Sequence, residues 1–233
     1  MKKFILLIAA GLLAAMVPAT AQLKPYRINV GEFHELKVVD GINVDYHCDP
    51  SKAGIVEFEA DPSVASAVMF DPSKGRLTVQ LASRDTPYKG LPTVHVYSSY
   101  LHKVSNEGDS LVRVMTVAPG AQFNCRVIGN GTLSVRDAVF TDISVSIISG
   151  HGMISIVGKA QNATLKVTGA GQIQADELEA KNVSCSLTGT GSIHCYATQS
   201  ISYGGLASGT IYYRGTPELK KRFMSNVKIT PID

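Results

Sequence analysis

A chain of 233 residues with 45% hydrophobic and 18% charged side chains can fill a well-buried core and carries too little charge to be a disordered tail. Its formal charge of +3 rests partly on Lys2 and Lys3; removing them from the 22 basic side chains leaves 20 against 19 acidic, with no block of one sign to attract nucleic acid. Beyond the first 21 residues no apolar run approaches the ~18 residues that a membrane-spanning helix needs.

The first expected element is an export signal. Lys2 and Lys3 precede the apolar run Phe4–Val17, Pro18 breaks it, and Ala19-Thr20-Ala21 fits a small-x-small cleavage site. Cleavage after Ala21 is expected to leave residues 22–233 as one domain in the periplasm, at the cell surface or outside the cell. Position 22 is Gln22 rather than cysteine, which argues against a lipid anchor. Cys48, Cys125, Cys185 and Cys195 would then meet an oxidising compartment, yet they are sparse for a disulfide framework. Three pairings stay open, and buried thiols packing as small apolar groups are the plainer expectation.

Residues 22–104 read as strand-rich. Alternating or β-branched runs at Phe33–Val39, Ile42–His47, Ile55–Ala60, Arg76–Leu81 and Thr93–Ser98 are separated by the turn pairs Asp49-Pro50, Asp61-Pro62, Asp71-Pro72 and Lys74-Gly75. Pro62–Ala67 suits one helical turn.

A repeat fills residues 105–215. VIGNGTLSV carries Gly129 and Gly131, IISGHGMISIV Gly150 and Gly152, KVTGAGQIQA Gly169 and Gly171, and LTGTGSIHC Gly189 and Gly191; GLASGTIYY keeps only Gly209. The second glycines fall 21, 19, 20 and 18 residues apart, and an earlier copy centres on Gly108. A period near 20 marks a solenoid. Two residues before the first glycine stand Val127, Ile148, Val167 and Leu187; two after the second stand Leu133, Ile154, Ile173, Ile193 and Ile211. Arg126, Lys166, Ser134, Ser155, Gln174 and His194 alternate with them, so each copy predicts two short strands joined at a glycine corner, one face inward. The expected fold is all-β: a parallel β-helix-like solenoid of about 20-residue coils, with Lys181-Asn182 at the opposite corner and residues 216–233 as a C-terminal cap.

FHELKVVDGINVDYHCDP, with Gly41-Ile42-Asn43 after an Asp turn and Gly-x-Gly coils further on, resembles the head GIN domain family of auto-transporter adhesins from secreted Bacteroidetes proteins. The resemblance spans about residues 30–218. It implies a right-handed β-helix-like fold, a cell-envelope location and no catalytic motif. The chain departs from the family pattern at Ala207 and Ser225, where glycine would be usual.

Candidate chemistry is weighed against this architecture. Gly189-x-Gly191 lacks the third glycine and following helix of a dinucleotide fingerprint, and it recurs at every coil. His194 and Cys195 are strand neighbours pointing to opposite faces, so they do not share a metal; Cys195 and Cys185 both fall on inward positions, which makes a bridge within one coil conceivable. His151 sits at an exposed corner without a partner. No cofactor or metal is expected. Asp137 and Asp142 fall at one corner and Asp176, Glu177 and Glu179 at the equivalent corner of a later coil, which reads as a repeating turn composition rather than a catalytic pair. Asn130, Asn162 and Asn182 head glycosylation-type triplets, discounted for a bacterial-looking chain. The candidate ligand surface is His95, Tyr97, Tyr100 and His102, because tyrosine faces suit carbohydrate and protein contacts alike. Tyr196, Tyr203, Tyr212 and Tyr213 read as capping the last coils. The leading function is a non-enzymatic envelope protein binding a glycan or a protein. A carbohydrate-active β-helix enzyme is the alternative, and a passive periplasmic scaffold the third reading.

Overall fold

The computed structural model describes residues 23–83, 86, 88–223 and 225–232. The expected signal peptide and its cleavage site lie outside the described residues.

In chain order the strands are β1 (Lys24–Asn29), β2 (Glu35–Val39), β3 (Asn43–Cys48), β4 (Ile55–Ala60), then the helical turn α1 (Pro62–Ala65), β5 (Val68–Ser73), β6 (Arg76–Leu81), β7 (Thr93–Ser98), β8 (Lys103–Glu107) and β9 (Leu111–Val114). The long strands follow: β10 (Gly120–Val127), β11 (Thr132–Ile147), β12 (Met153–Gly169), β13 (Gln172–Gly189) and β14 (Ser192–Gly204). Three short ones end the chain: β15 (Thr210–Arg214), β16 (Glu218–Lys221) and β17 (Lys228–Pro231). They form a β-solenoid of about 6 turns with coils about 20 residues apart. Among the described residues no helix is long and apolar enough to cross a membrane.

Each coil has two faces. One carries β4, β7, β3, β9 and the leading halves of β11 to β14; the other carries β5, β6, β2, β8, β10 and the trailing halves. Successive coils pair in parallel, so equivalent side chains stack in columns. The inner columns Val127–Ile147–Val167–Leu187 and Leu133–Ile154–Ile173–Ile193–Ile211 are wholly buried. Phe123 stacks on Phe140 at 4.8 Å in the same core.

The column position in the second copy differs from the sequence expectation: Ile147 is the inward residue, and Ile148 is 38% exposed. Gly129 and Gly150 lie one residue further apart than Val127 and Ile147 do, so the corner of that copy absorbs the extra residue while the strand keeps its register. The two glycines of each corner differ in conformation. The first holds positive φ, as at Gly169 (+113°) and Gly189 (+111°). Both leave room for the coil beneath, since a Cβ at Gly189 would stand 2.4 Å from the Gly169 carbonyl oxygen and one at Gly191 2.2 Å from that of Gly171.

The opposite corner is not a break between strands. β11, β12 and β13 run through it as bends marked by β-bulges, with register shifts between Val135 and Ala138, Ser155 and Val157, and Ala175 and Glu179. Just past the bend two of the glycosylation-type asparagines join a polar ladder: Asn162 donates to Asp142 (2.9 Å), Asn182 to Asn162 (3.2 Å) and Ser200 to Asn182 (2.8 Å).

The N-terminal part belongs to the same stack in a permuted order. The β2–β3 coil, which carries Gly41-Ile42-Asn43, lies between the β6–β7 coil on one side and the β8–β9 coil on the other. Residues 99–102 therefore stride across an intervening coil. Antiparallel β1, β4 and β5 close that end of the stack. Past Arg214 the described residues add one more short parallel coil, with β16 on β14 and β17 on β15.

Candidate functional site

The four residues expected to form one ligand surface fall into two clusters, each with a histidine that the sequence did not single out. Alternation in β7 turns His95 and Tyr97 outward while Val94 and Val96 are buried. The parallel register sets Asp45 and His47 of β3 beside them. His47 Nε2 lies 3.2 Å from His95 Nδ1, the His47 ring stacks on Tyr97 at 5.0 Å, and Lys52 Nζ sits 4.6 Å above the Tyr97 ring. Asp45, almost fully buried, accepts both arms of the Arg113 guanidinium at 2.7 and 2.6 Å.

The second cluster gathers where residues 99–102 cross the intervening coil. His34 stacks on Tyr100 at 5.5 Å and on His102 at 4.9 Å. Gly75 makes room for it, because a Cβ there would overlap the His34 ring at 2.1 Å. Burial pushes the Glu35 carboxyl up, but hydrogen bonds from Arg76 (3.1 Å) and Lys103 (3.3 Å) outweigh it and hold the group below the ordinary carboxylate range. His102 Nε2 stands 3.5 Å from the same carboxylate. His34 and His47 escape sequence reading because only the permuted stacking brings them to residues 95–102.

The first cluster has a pH consequence. Burial lowers the His47 pKa, and His95, Lys52 and Arg113 lower it further against the opposing pull of Asp45. A histidine whose folded pKa is depressed contributes stability at pH above its ordinary value of 6.5, and that stability is lost as pH falls below it. The melting temperature is therefore expected to drop between pH 7.5 and 5, and His47→Gln to flatten the drop. Equal drops in both proteins would remove His47 as the cause.

A third feature lies at the bulged bend. Asp137, with φ of 52°, and Asp176, Glu177 and Glu179 come from two coils to line one open groove of about 430 Å³. Lys159, Tyr196 and Arg214 complete its polar lining over Val139 and Val157. Arg214 covers the Tyr196 ring at 5.5 Å and donates to the Asp176 carbonyl at 3.3 Å. The groove continues past Val139, Lys159 and Glu179 into a second depression of about 460 Å³ that reaches Gln161, Lys181 and Thr198. Asp137 and the later acids thus line one space, because parallel pairing through β12 stacks the two equivalent corners over one another, whereas Asp142 lies in the polar ladder instead.

The remaining candidates lie apart from these three features. His194 points outward and stacks on Tyr212 at 4.6 Å, and Cys195 is buried. His151 is exposed, its backbone N–H donating to Asn130. Tyr203 and Tyr213 pack against the core. No group of three or more His, Cys, Asp or Glu is placed to hold a metal ion among the described residues.

Fold and surface together define a β-solenoid carrying a groove along one bend and aromatic–histidine clusters near one end. The family described as "Putative auto-transporter adhesin, head GIN domain" matches residues 32–217, and the chain belongs to it. No curated protein is significantly similar in sequence. Among solved structures, a "putative adhesin" from Bacteroides fragilis NCTC 9343 is 21% identical, with a TM-score of 0.81 over 91% of this chain and 97% of that one. A "Putative lipid binding protein" from Parabacteroides distasonis ATCC 8503 is 20% identical, with a TM-score of 0.73 over 92% and 98%. A "putative adhesin" from Parabacteroides merdae ATCC 43184 is 18% identical, with a TM-score of 0.67 over 92% and 98%. At these identities the likeness is one of fold.

Proposed function

We propose that the chain is an exported, non-enzymatic binding protein of the cell envelope whose solenoid presents the bend groove to a glycan or a protein. The observation that carries this reading is the groove itself. It runs across several coils and sets carboxylates, lysine amines and the Arg214-covered Tyr196 ring side by side, and so offers hydroxyl-rich or peptide ligands several hydrogen-bond partners. The adhesin family supports binding and a surface location. The export signal expected over residues 1–21 is consistent with both.

Glycan arrays and envelope-protein pull-downs with the chain would identify the ligand. Tyr196→Ala combined with Glu179→Gln is expected to weaken its capture by roughly tenfold or more, the scale of losing one well-buried contact. The melting temperature should stay near that of the wild type, because both side chains lie outside the inner columns. Unchanged capture by the double variant would move the site elsewhere, with the His47–His95–Tyr97 and His34–Tyr100–His102 clusters next in line.

A second reading has one observation in its favour. An open groove of about 730 Å³ beside β1 has an apolar side of Leu23, Pro25, Tyr26 and Phe58, with Leu23 59% exposed, and a polar side of Arg27, Glu57, Glu59, Thr93 and His95. An acyl chain suits the apolar side, and one structural neighbour is named a lipid-binding protein. Retention of fatty acids or phospholipids by the purified chain, abolished in Tyr26→Asp, would favour this reading over the bend groove.

A further inference from the structure

Cys185 and Cys195 meet inside one coil. Cys185 lies on the trailing half of β13, in register with Leu165 and Tyr203; Cys195 lies on the leading half of β14, in register with Ala175 and Tyr213. They therefore belong to opposite faces, joined through the corner at Gly189–Gly191. Both are inward positions of their strands, at 0% and 1% exposure, and the Cys185 thiol points at the Cys195 sulfur with 3.9 Å between them. Both are free thiols in this structure.

We propose that these two thiols form a disulfide that ties the two faces of the coil across the core. The proposal rests on the export reading above, since an oxidising compartment is where such a bond forms and persists. The sulfurs already touch. Closing them to a bond of about 2.05 Å requires each to move by about 1 Å, the scale of a small side-chain rotation. The other two cysteines are placed differently. Cys125 stacks in register between Val104 and Val145, and Cys48 donates to the Ser99 carbonyl at 3.2 Å.

The chemistry is exchange with a small disulfide, RSSR. The thiolate of one cysteine attacks RSSR and releases one RS⁻, giving a mixed disulfide. The second thiolate attacks the protein sulfur of that intermediate and releases the other RS⁻. The two thiol protons end on the two RSH formed, and the cysteine pair loses the two electrons that RSSR gains. In the closed coil this exchange is slow, because an oxidant cannot reach the buried sulfurs. The neighbouring Cys195 thiol and burial also hold Cys185 protonated well above its ordinary range. The bond therefore forms while β14 is still undocked from β13.

The test uses the full chain, refolded from denaturant with reduced and oxidised glutathione, then alkylated under denaturing conditions and weighed. Two alkylated thiols, Cys48 and Cys125, with a non-reduced peptide joining Cys185 to Cys195, is the result expected. In Cys195→Ala all three remaining thiols should be alkylated, and reductant should no longer lower the melting temperature. Four alkylated thiols in the wild type, or a bridge involving Cys48 or Cys125, would overturn the proposal. The same assay on chain recovered from its own cells tests export separately: a pair that closes on refolding but is open in cells would contradict the location and leave the geometry standing.

Discussion

Gly189→Val is expected to lower the unfolding free energy by roughly 2–6 kcal/mol. Two costs combine. A β-branched residue is forced to the positive φ of 111°, worth about 1–3 kcal/mol, and overpacking against a fixed neighbour adds about 1–3 kcal/mol. The neighbour is backbone: the added Cβ would stand 2.4 Å from the Gly169 carbonyl oxygen, in the coil beneath. That oxygen accepts hydrogen bonds from Thr190 and Gly191, so it cannot swing away without opening the corner. Gly169→Val shares the positive φ but meets the Gly150 oxygen at 3.2 Å, so its cost should be smaller. Urea unfolding of the two variants gives the order directly. An unchanged midpoint for Gly189→Val would contradict the corner geometry.

Ile173→Ala should cost about 2–5 kcal/mol, the range for truncating a fully buried aliphatic side chain. Ile173 stacks between Ile154 and Ile193, so the cavity removes contacts with the coils on both sides. The cost at Ile211, whose outer neighbour is the half-buried Ile229 of the last short coil, should be smaller. In a stack held by nearest-neighbour interfaces, a central defect weakens two interfaces and a terminal one weakens a thinner edge. Thermal unfolding of both variants checks the order; equal losses would show that the inner column does not couple the coils.

What could be read from the sequence follows from where information is local. The corner glycines repeat every ~20 residues and the inner columns sit at fixed offsets from them, so the period, the strand character and the inward residues Leu133, Ile154, Ile173, Ile193 and Ile211 were legible. Ile148 departs from the inner column because an offset of two from Gly150 is not the strand register, which is set by pairing with β10 and β12. The permuted place of the β2–β3 coil was not legible. It rests on long-range parallel pairing between strands that share no repeated motif. The same is true of what that pairing assembles, the His34 and His47 clusters. The acids at the bend were visible as a recurring composition, but the groove they line also needs Lys159, Tyr196 and Arg214 from other coils, which composition alone does not bring together.

The groove also separates the two leading functions physically. A glycoside-cleaving site needs one carboxyl to protonate the leaving oxygen and a second to act on the other side of the sugar ring. A binding site uses the same carboxylates as hydrogen-bond acceptors and leaves the bond intact. The measurement that bears most directly on this is incubation of the chain with a panel of polysaccharides, read at once for retained polymer and for newly released sugar ends. Retention of at least one polymer without new ends is the predicted result. Release of new ends above the level seen with heat-unfolded chain would contradict it.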